Sequence, residues 1–224
     1  MARKVAIFGA SPLGYLGGAA REELLGAAAL EPLVEGRALT VEAEVPRALL
    51  LIGSGRVRLE RARAHAAPPA RYPVAHRGPG EMVGEGGLGD GPSLDTAIVA
   101  DDGDALAIAL EPMRRVLASD AAAREVVARA LLEQRRAAER RLEALLLHGV
   151  EVRLTRLLLE AAARWGVEHA ASGVLVTAGF THAELALLIG STRETVTLLL
   201  GKLRREGLVA FERRRLVIRD RAAL

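Results

Sequence analysis

From Ala121 to His148 the chain reads "AAAREVVARALLEQRRAAERRLEALLLH", with neither glycine nor proline to interrupt it. Alanine, leucine, glutamate and arginine lose little rotamer freedom in a helix and offer the backbone no competing hydrogen bond, so the stretch predicts one long helix over 121–148. A rod of that length extends beyond what a small domain can cover, and something else must cover the remainder. Val127, Leu131, Gln134, Ala138 and Leu145 recur close to an a/d spacing, with Leu142 one step off the seam. That pattern suits packing against a second copy of the same helix. The competing reading is a stripe that packs on the helix's own domain.

The two flanks of this helix differ in kind. Between Gly36 and about Leu110 the apolar runs "ALLLIG", "RVRLE", "TAIVA" and "ALAIAL" are separated by Gly, Pro and Asp, a texture that predicts short strands in an all-β unit. "HAAPPARYP" reads as a loop because consecutive prolines cannot donate to a ladder, and Asp101–Asp102 as a turn. Before this unit, Ser11 to about Leu30 reads as short helical pieces. After the long helix, Gly149 makes a break and "VEVRLTRLLLEAAARWG" forms another helix with Gly166 as its C-cap. "GVLVTA" then reads as a short strand, followed by two short helical patterns and by "LVAFERRRLVIRD", two β-like runs around a charged turn. Helix, helix, helix, hairpin is the order of a winged helix. The expected organisation is α+β, with a β unit over 1–120, a dimerisation helix over 121–148 and a winged helix over 149–224.

Composition narrows the chemistry. With zero cysteines there is no disulfide framework, no cysteine-ligated iron–sulfur cluster and no thiol nucleophile, which fits a reducing cytoplasm. No apolar stretch approaches the roughly 18 residues of a membrane span, so a soluble chain without a membrane partner is expected. The opening "MARKVAIFGASPLGYLGG" faintly imitates a secretory leader, but Pro12 and the scattered glycines depart from that template. Net charge is only +3, yet it is unevenly spread: Gly78 to Pro112 contains many carboxylates and neither Lys nor Arg, whereas the tail from Lys202 onward is basic. A basic end on a nearly neutral chain points to an anionic partner, most often a nucleic-acid backbone.

Within "FTHAELALLIGSTRETVTLLLGKLRREGLV", Phe180 to Val209, two hydroxyl residues are each followed three positions later by a carboxylate: Thr181 with Glu184, and Ser191 with Glu194. Each pair fits the capping box that starts a helix. Gly190 lies between them, where a tight turn favours positive φ. Leu185, Leu188, Ile189, Val196, Leu199, Leu200 and Leu203 supply the apolar sides that pack the helices together, which makes the unit a helix-turn-helix. In such a unit the second helix inserts its N-terminal end into the DNA major groove. There Arg193 could take guanine O6 and N7 together and Glu194 could accept from cytosine N4, with Thr192 and Thr197 as further base contacts. Thr181, Ser191, Thr195, Lys202, Arg213, Arg214 and Arg215 are the candidates for the phosphate backbone. The competing reading makes Glu194 the capping carboxylate and Arg193 a surface residue.

This stretch, and "GSTRETV" above all, resembles the DNA-binding signature of the Crp–Fnr superfamily of bacterial transcription regulators. The resemblance covers most of the chain: "SPLGYLGGAAREELLGAAALEPLVEGRAL" is similar to the family's N-terminal helices and entry to its β-roll, "LLIGSGRVRLE" to its strand–Gly–strand element, "RGPGEMVGE" to its turn before the cyclic-nucleotide box, and "RLTRLLLEAAARWG" to the helix after the dimer helix. It implies a cyclic-nucleotide-binding-like β-roll, a dimerisation helix and a winged helix. It also implies a cytoplasmic homodimer on double-stranded DNA, with RNA polymerase as a further partner and an unidentified small molecule as a possible effector.

This sequence departs from the family pattern in places. Leu198 stands where many members carry a second arginine, which implies an altered half-site. Members that bind cyclic AMP pair Gly-Glu with a later Arg-Ser/Thr-Ala; here Gly84–Glu85 is followed by Leu94-Asp95-Thr96-Ala97, and Ala138 and Glu139 stand about where hydroxyls would meet the adenine. An aspartate in an acidic segment would repel the cyclic phosphate. The expectation is therefore no cyclic AMP, a degenerate pocket at Gly84, Glu85, Asp95, Thr96 and Ala138, and no cofactor; His65 and His76 leave haem as a remote option. The histidines have no metal-ligand spacing.

Two other functions remain open from the residues. One is a winged helix that docks proteins rather than DNA. The other is an NAD-binding enzyme using "VAIFGASPLGYLG", although the downstream sequence lacks the crossover that such a turn requires. No catalytic constellation appears elsewhere: G-x-S-x-G and H-E-x-x-H are both missing.

Overall fold

The run at Leu49–Ile52 is buried on both faces, and the first of the chain's two units is built around it. The computed structural model describes residues 1–62, 71–169, 173–212 and 215–220. It divides into Met1–Ala137 and Ala138–Leu224.

In the first unit, helices α1 (Ala2–Ala10) and α2 (Gly18–Ala27) flank a single 3-10 turn at Pro12–Tyr15 and lead into β1 (Ala28–Leu33). The strands β2 (Ala38–Thr40), β3 (Ala48–Ala62), β4 (Arg71–Arg77), β5 (Met82–Val83) and β6 (Thr96–Ala109) follow, then α3 (Leu110–Ser119). The sheet runs β1-β6-β3-β4, with β2 on β6 and β5 on β3, all antiparallel. Side chains alternate across a strand. Leu49 and Leu51 therefore pack with Phe8, Leu13, Leu24 and Met113 on the helical side, while Leu50 and Ile52 pack with Val57, Val83 and Val99 inside the roll. This two-sided burial explains why "ALLLIG" lacks polar alternation.

Several expectations change here. The strands expected to be short are long: β3 and β6 pair along most of their length and bend together where the register shifts between Ile52 and Val57. Gly103 sits at that bend because a Cβ there would collide with the Ser54 carbonyl. Asp101 and Asp102 lie within β6 and not in a turn. Asp101 faces Arg56 across the ladder, and the Arg56 guanidinium, 2% exposed, donates from Nε to Asp101 Oδ2 at 2.7 Å. Residues 2–10, whose later part could imitate a nucleotide-binding strand, form helix α1, so the dinucleotide motif has no strand to stand on. Part of "HAAPPARYP" lies outside the described residues, and its last three residues begin β4.

Helix α4 covers Ala121–Leu147. Its first turns are held by Ala123, Val127 and Ala130, which join the core of the first unit. Val127 is thus a core residue of its own protomer rather than part of a seam, and Gln134 is half-buried on the same side. Leu131, Ala138, Leu142 and Leu145 lie on the same stripe, mostly further along the helix, and are exposed. The apolar stripe left uncovered therefore includes Leu142, at 57% exposure, and excludes Val127 and Gln134.

The second unit continues with α5 (Val150–Trp165), β7 (Gly166–Glu168), β8 (Val174–Val176), α6 (His182–Ile189), α7 (Arg193–Arg205), β9 (Val209–Glu212) and β10 (Arg215–Ile218). Its antiparallel sheet has the order β7-β8-β10-β9. Gly166 does end α5, but in an extended conformation that starts β7 at once. Leu154, Leu158 and Trp165 from α5 meet Leu185, Ile189, Val196, Leu200 and Leu203 in one core. Among the described residues no helix is long and apolar enough to cross a membrane.

Candidate nucleic-acid interface

The two helices of the turn start in different ways. At α6 the capping box is complete: Thr181 Oγ1 accepts from the Glu184 amide at 3.1 Å, and the Thr181 amide donates to Glu184 Oε2 at 2.9 Å. Gly190 ends this helix at φ 61°, in the left-handed region where glycine is the least strained residue. At α7 the cap is Thr192, one residue later than the Ser191 expected from the sequence; Thr192 Oγ1 accepts from the Thr195 amide at 3.2 Å. The shift puts Thr195, and not Glu194, at the reciprocal position. Glu194 therefore takes no part in capping.

Capping and internal hydrogen bonds use most of the neighbouring polar groups. Thr195 Oγ1 lies 3.0 Å from Thr192 Oγ1. Thr197 Oγ1 donates to the Arg193 carbonyl at 2.9 Å and lies 2.9 Å from His182 Nδ1. Lys202 Nζ is 2.6 Å from Glu151 Oε1 on α5, and this hydrogen bond raises the lysine pKa above its ordinary value. By contrast the side chains of Arg193 and Glu194 are exposed and have no hydrogen bond or ion pair with any described residue. Leu198, one turn after Glu194 on the same face, is 73% exposed. The buried side of α7 is Val196, Leu200 and Leu203, so Arg193, Glu194 and Leu198 present outward from the helix's first turns. Ser191 is half-buried, Arg215 is exposed at the start of β10, and Arg213 and Arg214 lie outside the described residues.

Sequence reasoning missed the residues that fix the turn. Arg153, on α5, donates from Nε to the Ile189 carbonyl at 2.7 Å, from Nη1 to the His148 carbonyl at 2.8 Å and from Nη2 to the Gly190 carbonyl at 3.2 Å. Arg141, on α4, donates from Nη2 to the Leu188 carbonyl at 2.8 Å, and burial lowers its pKa from the usual guanidinium value. A helix leaves its last carbonyls unsatisfied, and at α6 these two guanidinium groups satisfy them. The partners are separated in sequence by up to 47 residues, and nothing local marks them.

On the β-roll, Gly84, Glu85 and Asp95 line one cavity of about 150 Å³ with Thr40, Leu59 and Leu94. Thr96 is buried beside it and accepts from Arg71 Nη2 at 2.7 Å. Ala138 lies on α4 in the other unit. The segment from Gly78 to Pro112 is not left without cations, as its sequence suggested. Strand pairing brings Arg61 to Asp95 at 2.6 Å, Arg56 to Asp101 at 2.7 Å and, from α1, Arg3 to Asp104 at 2.5 Å. Arg71 meets Glu42 at 2.7 Å. The Ala62 amide and then Arg71 hold the Glu42 carboxyl below its ordinary pKa. His76 is buried in β4 and lines neither this cavity nor the larger one described below, while His65 lies outside the described residues.

A helix-turn-helix with an antiparallel wing, on a chain that also carries an antiparallel β-roll, defines a DNA-binding transcription regulator. Residues 152–224 match the Crp-like helix-turn-helix domain family. The chain is 30% identical over 191 residues to the cyclic AMP receptor protein of Thermus thermophilus, covering 85% of this chain and 83% of that protein. It is 28% identical over 187 residues to the CRP-like cAMP-activated global transcriptional regulator of Mycobacterium tuberculosis, covering 83% and 81%. A crystal structure of a CRP-family transcriptional regulator from Thermus thermophilus superposes with a TM-score of 0.70 at 26% identity, covering 86% of this chain and 93% of that one. The chain belongs to the Crp–Fnr superfamily and is a DNA-binding transcription regulator of that type.

Proposed function

We propose that the protein acts as a homodimer on a roughly palindromic operator, with Arg193 and Glu194 reading base edges in the major groove. The observation that carries this is the state of those two side chains: the hydroxyls around them are used in capping and back-bonding, whereas they have no partner among the described residues. A guanidinium suits guanine O6 and N7, and a carboxylate suits cytosine N4. Leu198 offers an apolar contact to a thymine methyl where a polar residue would offer a hydrogen bond. Arg215, with Arg213 and Arg214, serves the phosphates, together with Thr181, Ser191 and Thr195. Lys202 can join them only by leaving Glu151.

The dimer forms along α4 through Leu131, Ala138, Leu142 and Leu145, which sets the recognition helices about one DNA turn apart. In function the chain divides into a sensor-like roll over 1–120, a dimerisation helix over 121–148 and a winged helix over 149–224, working in the cytoplasm with RNA polymerase as its downstream partner. Two relatives are named for cyclic AMP, but the corresponding cavity here, about 150 Å³, falls below the roughly 300–1,000 Å³ of small-molecule sites. The ion pair of Asp95 with Arg61 also occupies the place of a phosphate anchor. These two features support the reading in which cyclic AMP is not the effector.

Selection of preferred duplexes from a random library by wild type, Arg193→Ala and Glu194→Ala tests the base-reading assignment. A two-fold symmetric site for the wild type, with preference relaxed at one base pair per half-site in each variant, is the expected result. Identical selected sites from all of them would overturn it.

A further inference from the structure

The first unit holds a larger cavity, of about 800 Å³, that shares no residue with the one at Gly84–Glu85. Its walls come from the end of α1 and the 3-10 turn after it, the chain from Arg77 to Met82, and the first half of α4. Met82, Pro12, Val126, Ala130 and Ala137 give it an apolar lining. Met82 and Ala130 are themselves part of the core, so the floor of the cavity is fixed packing. One wall is set by close backbone approach: Gly80, at φ 83°, lies where a Cβ would come within 2.8 Å of the Ala10 carbonyl.

The charges in the lining are mostly answered within the protein. Glu125 pairs with Arg129 at 2.8 Å, Glu133 with Arg136 at 2.6 Å, and Glu81 accepts from the Gly78 amide at 2.7 Å. Arg77 differs. Its guanidinium has no hydrogen bond or ion pair with any described residue, and its Nε is shielded from water with no acceptor. An unpartnered guanidinium on a residue that lines the cavity leaves its charge to be met by an anion bound there. A carboxylate matches the fork of a guanidinium bidentately. The neighbouring carboxylates Glu81, Glu125 and Glu133 make a dianion such as a phosphate monoester less suitable than a single negative charge.

We propose that this cavity binds a small amphipathic monocarboxylate, with Arg77 holding the carboxylate and Met82, Val126 and Ala130 covering the apolar body. The volume lies within the range of small-molecule sites. Because α4 forms one wall, an occupant touches the first half of that helix directly. The assignment stands apart from the DNA reading, and its test uses no DNA.

Octanoate and its uncharged counterpart 1-octanol are titrated calorimetrically into the full-length protein and into Arg77→Gln, Arg77→Lys and Ala130→Leu. Octanoate should bind the wild type at least about tenfold more tightly than 1-octanol, as expected of a charge-assisted bidentate pair. Arg77→Gln should abolish that preference while 1-octanol binding persists, and Arg77→Lys should keep part of it. Ala130→Leu should weaken both ligands by filling the apolar floor. Amide shifts on adding octanoate should centre on Gly80 and Ala130. Equal affinity for the two probes, no binding of either, a preference unchanged in Arg77→Gln, or shifts confined to Gly84–Glu85 would each overturn the proposal. Should the Gln variant fail to fold, the Lys and Leu variants still decide through the octanoate-to-octanol ratio and the loss of both ligands.

Discussion

Arg153 is the residue whose removal separates positioning from contact. Its guanidinium takes the carbonyls of Ile189 and Gly190, at the turn between α6 and α7, and of His148, just past the end of α4. A hydrogen bond from a charged donor contributes about 1.5–3 kcal/mol net. These three bonds, with a longer fourth of 3.5 Å to the Leu145 carbonyl, share one half-exposed group here, and water can replace part of what is lost on the exposed side. Arg153→Met, which keeps the apolar stem, should therefore cost about 2–4 kcal/mol, less than the sum of three independent bonds. For a chain of this length each kcal/mol moves Tm by roughly 2–4 °C, so the shift should be about 4–16 °C. Urea denaturation gives the free energy and a thermal scan gives Tm. Arg153→Lys should fall between, since an ammonium can keep one or two carbonyls but not the fork.

The DNA measurement then adds a distinct signature. If Arg153 acts by fixing the turn, Arg153→Met weakens operator binding while the dependence of log affinity on log salt keeps its slope, because no phosphate contact has gone. A slope reduced by about one unit would mean that Arg153 itself neutralises a phosphate, and a Tm unchanged within about 1 °C would refute the hydrogen-bond reasoning altogether.

Other substitutions probe the remaining parts. Arg193→Ala should cost about 1–3 kcal/mol on the preferred operator and little on random duplex, measured by fluorescence anisotropy on both; equal losses on the two would remove it from the base-reading role. Leu142→Glu, on the uncovered face of α4, should shift the sedimentation profile toward monomer and lower operator affinity, whereas the same change at Val127 should instead unfold the first unit. Asp104 is held below the ordinary carboxylate range, first by its hydrogen bond from Arg3 and also by Ser54. A carboxyl depressed in the folded state stabilises above its unfolded pKa of about 3.9 and loses that contribution as pH falls through the folded value. Asp104→Asn should accordingly be less stable than wild type at neutral pH, with the gap closing as pH drops below about 4, followed by acid-dependent urea midpoints.

What the sequence disclosed, and what it hid, divides along one line. The long helix, the paired short helices, Gly190 and the Thr181–Glu184 box are local: each depends on residues within a turn or two, and local propensity states them directly. The start of α7 was displaced by one residue because Ser191 and Thr192 are both competent caps, and the pattern favoured the one with a glutamate three places on. The extent of β3 and β6 was obscured by the glycines at Gly53, Gly55 and Gly103, which read as breaks but occur where the paired strands bend. The neutralisation of Asp95 and Asp101 could not be read at all, since it arises from register: β3 laid antiparallel on β6 places arginines against aspartates that are 34 and 45 residues away in sequence. The uncovered stripe on α4 differs from the expected one for a related reason. Periodicity identifies an apolar stripe but not which neighbour covers it, and Val127 is already covered by its own protomer.

The economy of polar groups in the second unit bears on how such a protein can bind DNA with selectivity. A recognition helix whose reading side chains were paired with one another would have to break those pairs before meeting a base, adding to the ordering costs that association already carries. Here the work of holding the helix falls to other residues: Thr192 caps it, Thr197 is tied to His182, and Arg141 and Arg153 secure the preceding turn. Arg193 and Glu194 are adjacent and of opposite charge, yet no ion pair joins them. Their projection from neighbouring positions on a helix, which do not face one another, keeps them apart. On the proposed base-reading assignment that separation leaves each able to meet a different partner, so the exchange of Glu194→Thr with Thr197→Glu, which puts the glutamate one turn on from Arg193 and also removes the Thr197–His182 contact, should let the two pair and reduce both affinity and discrimination, measured by anisotropy on operator and random duplex.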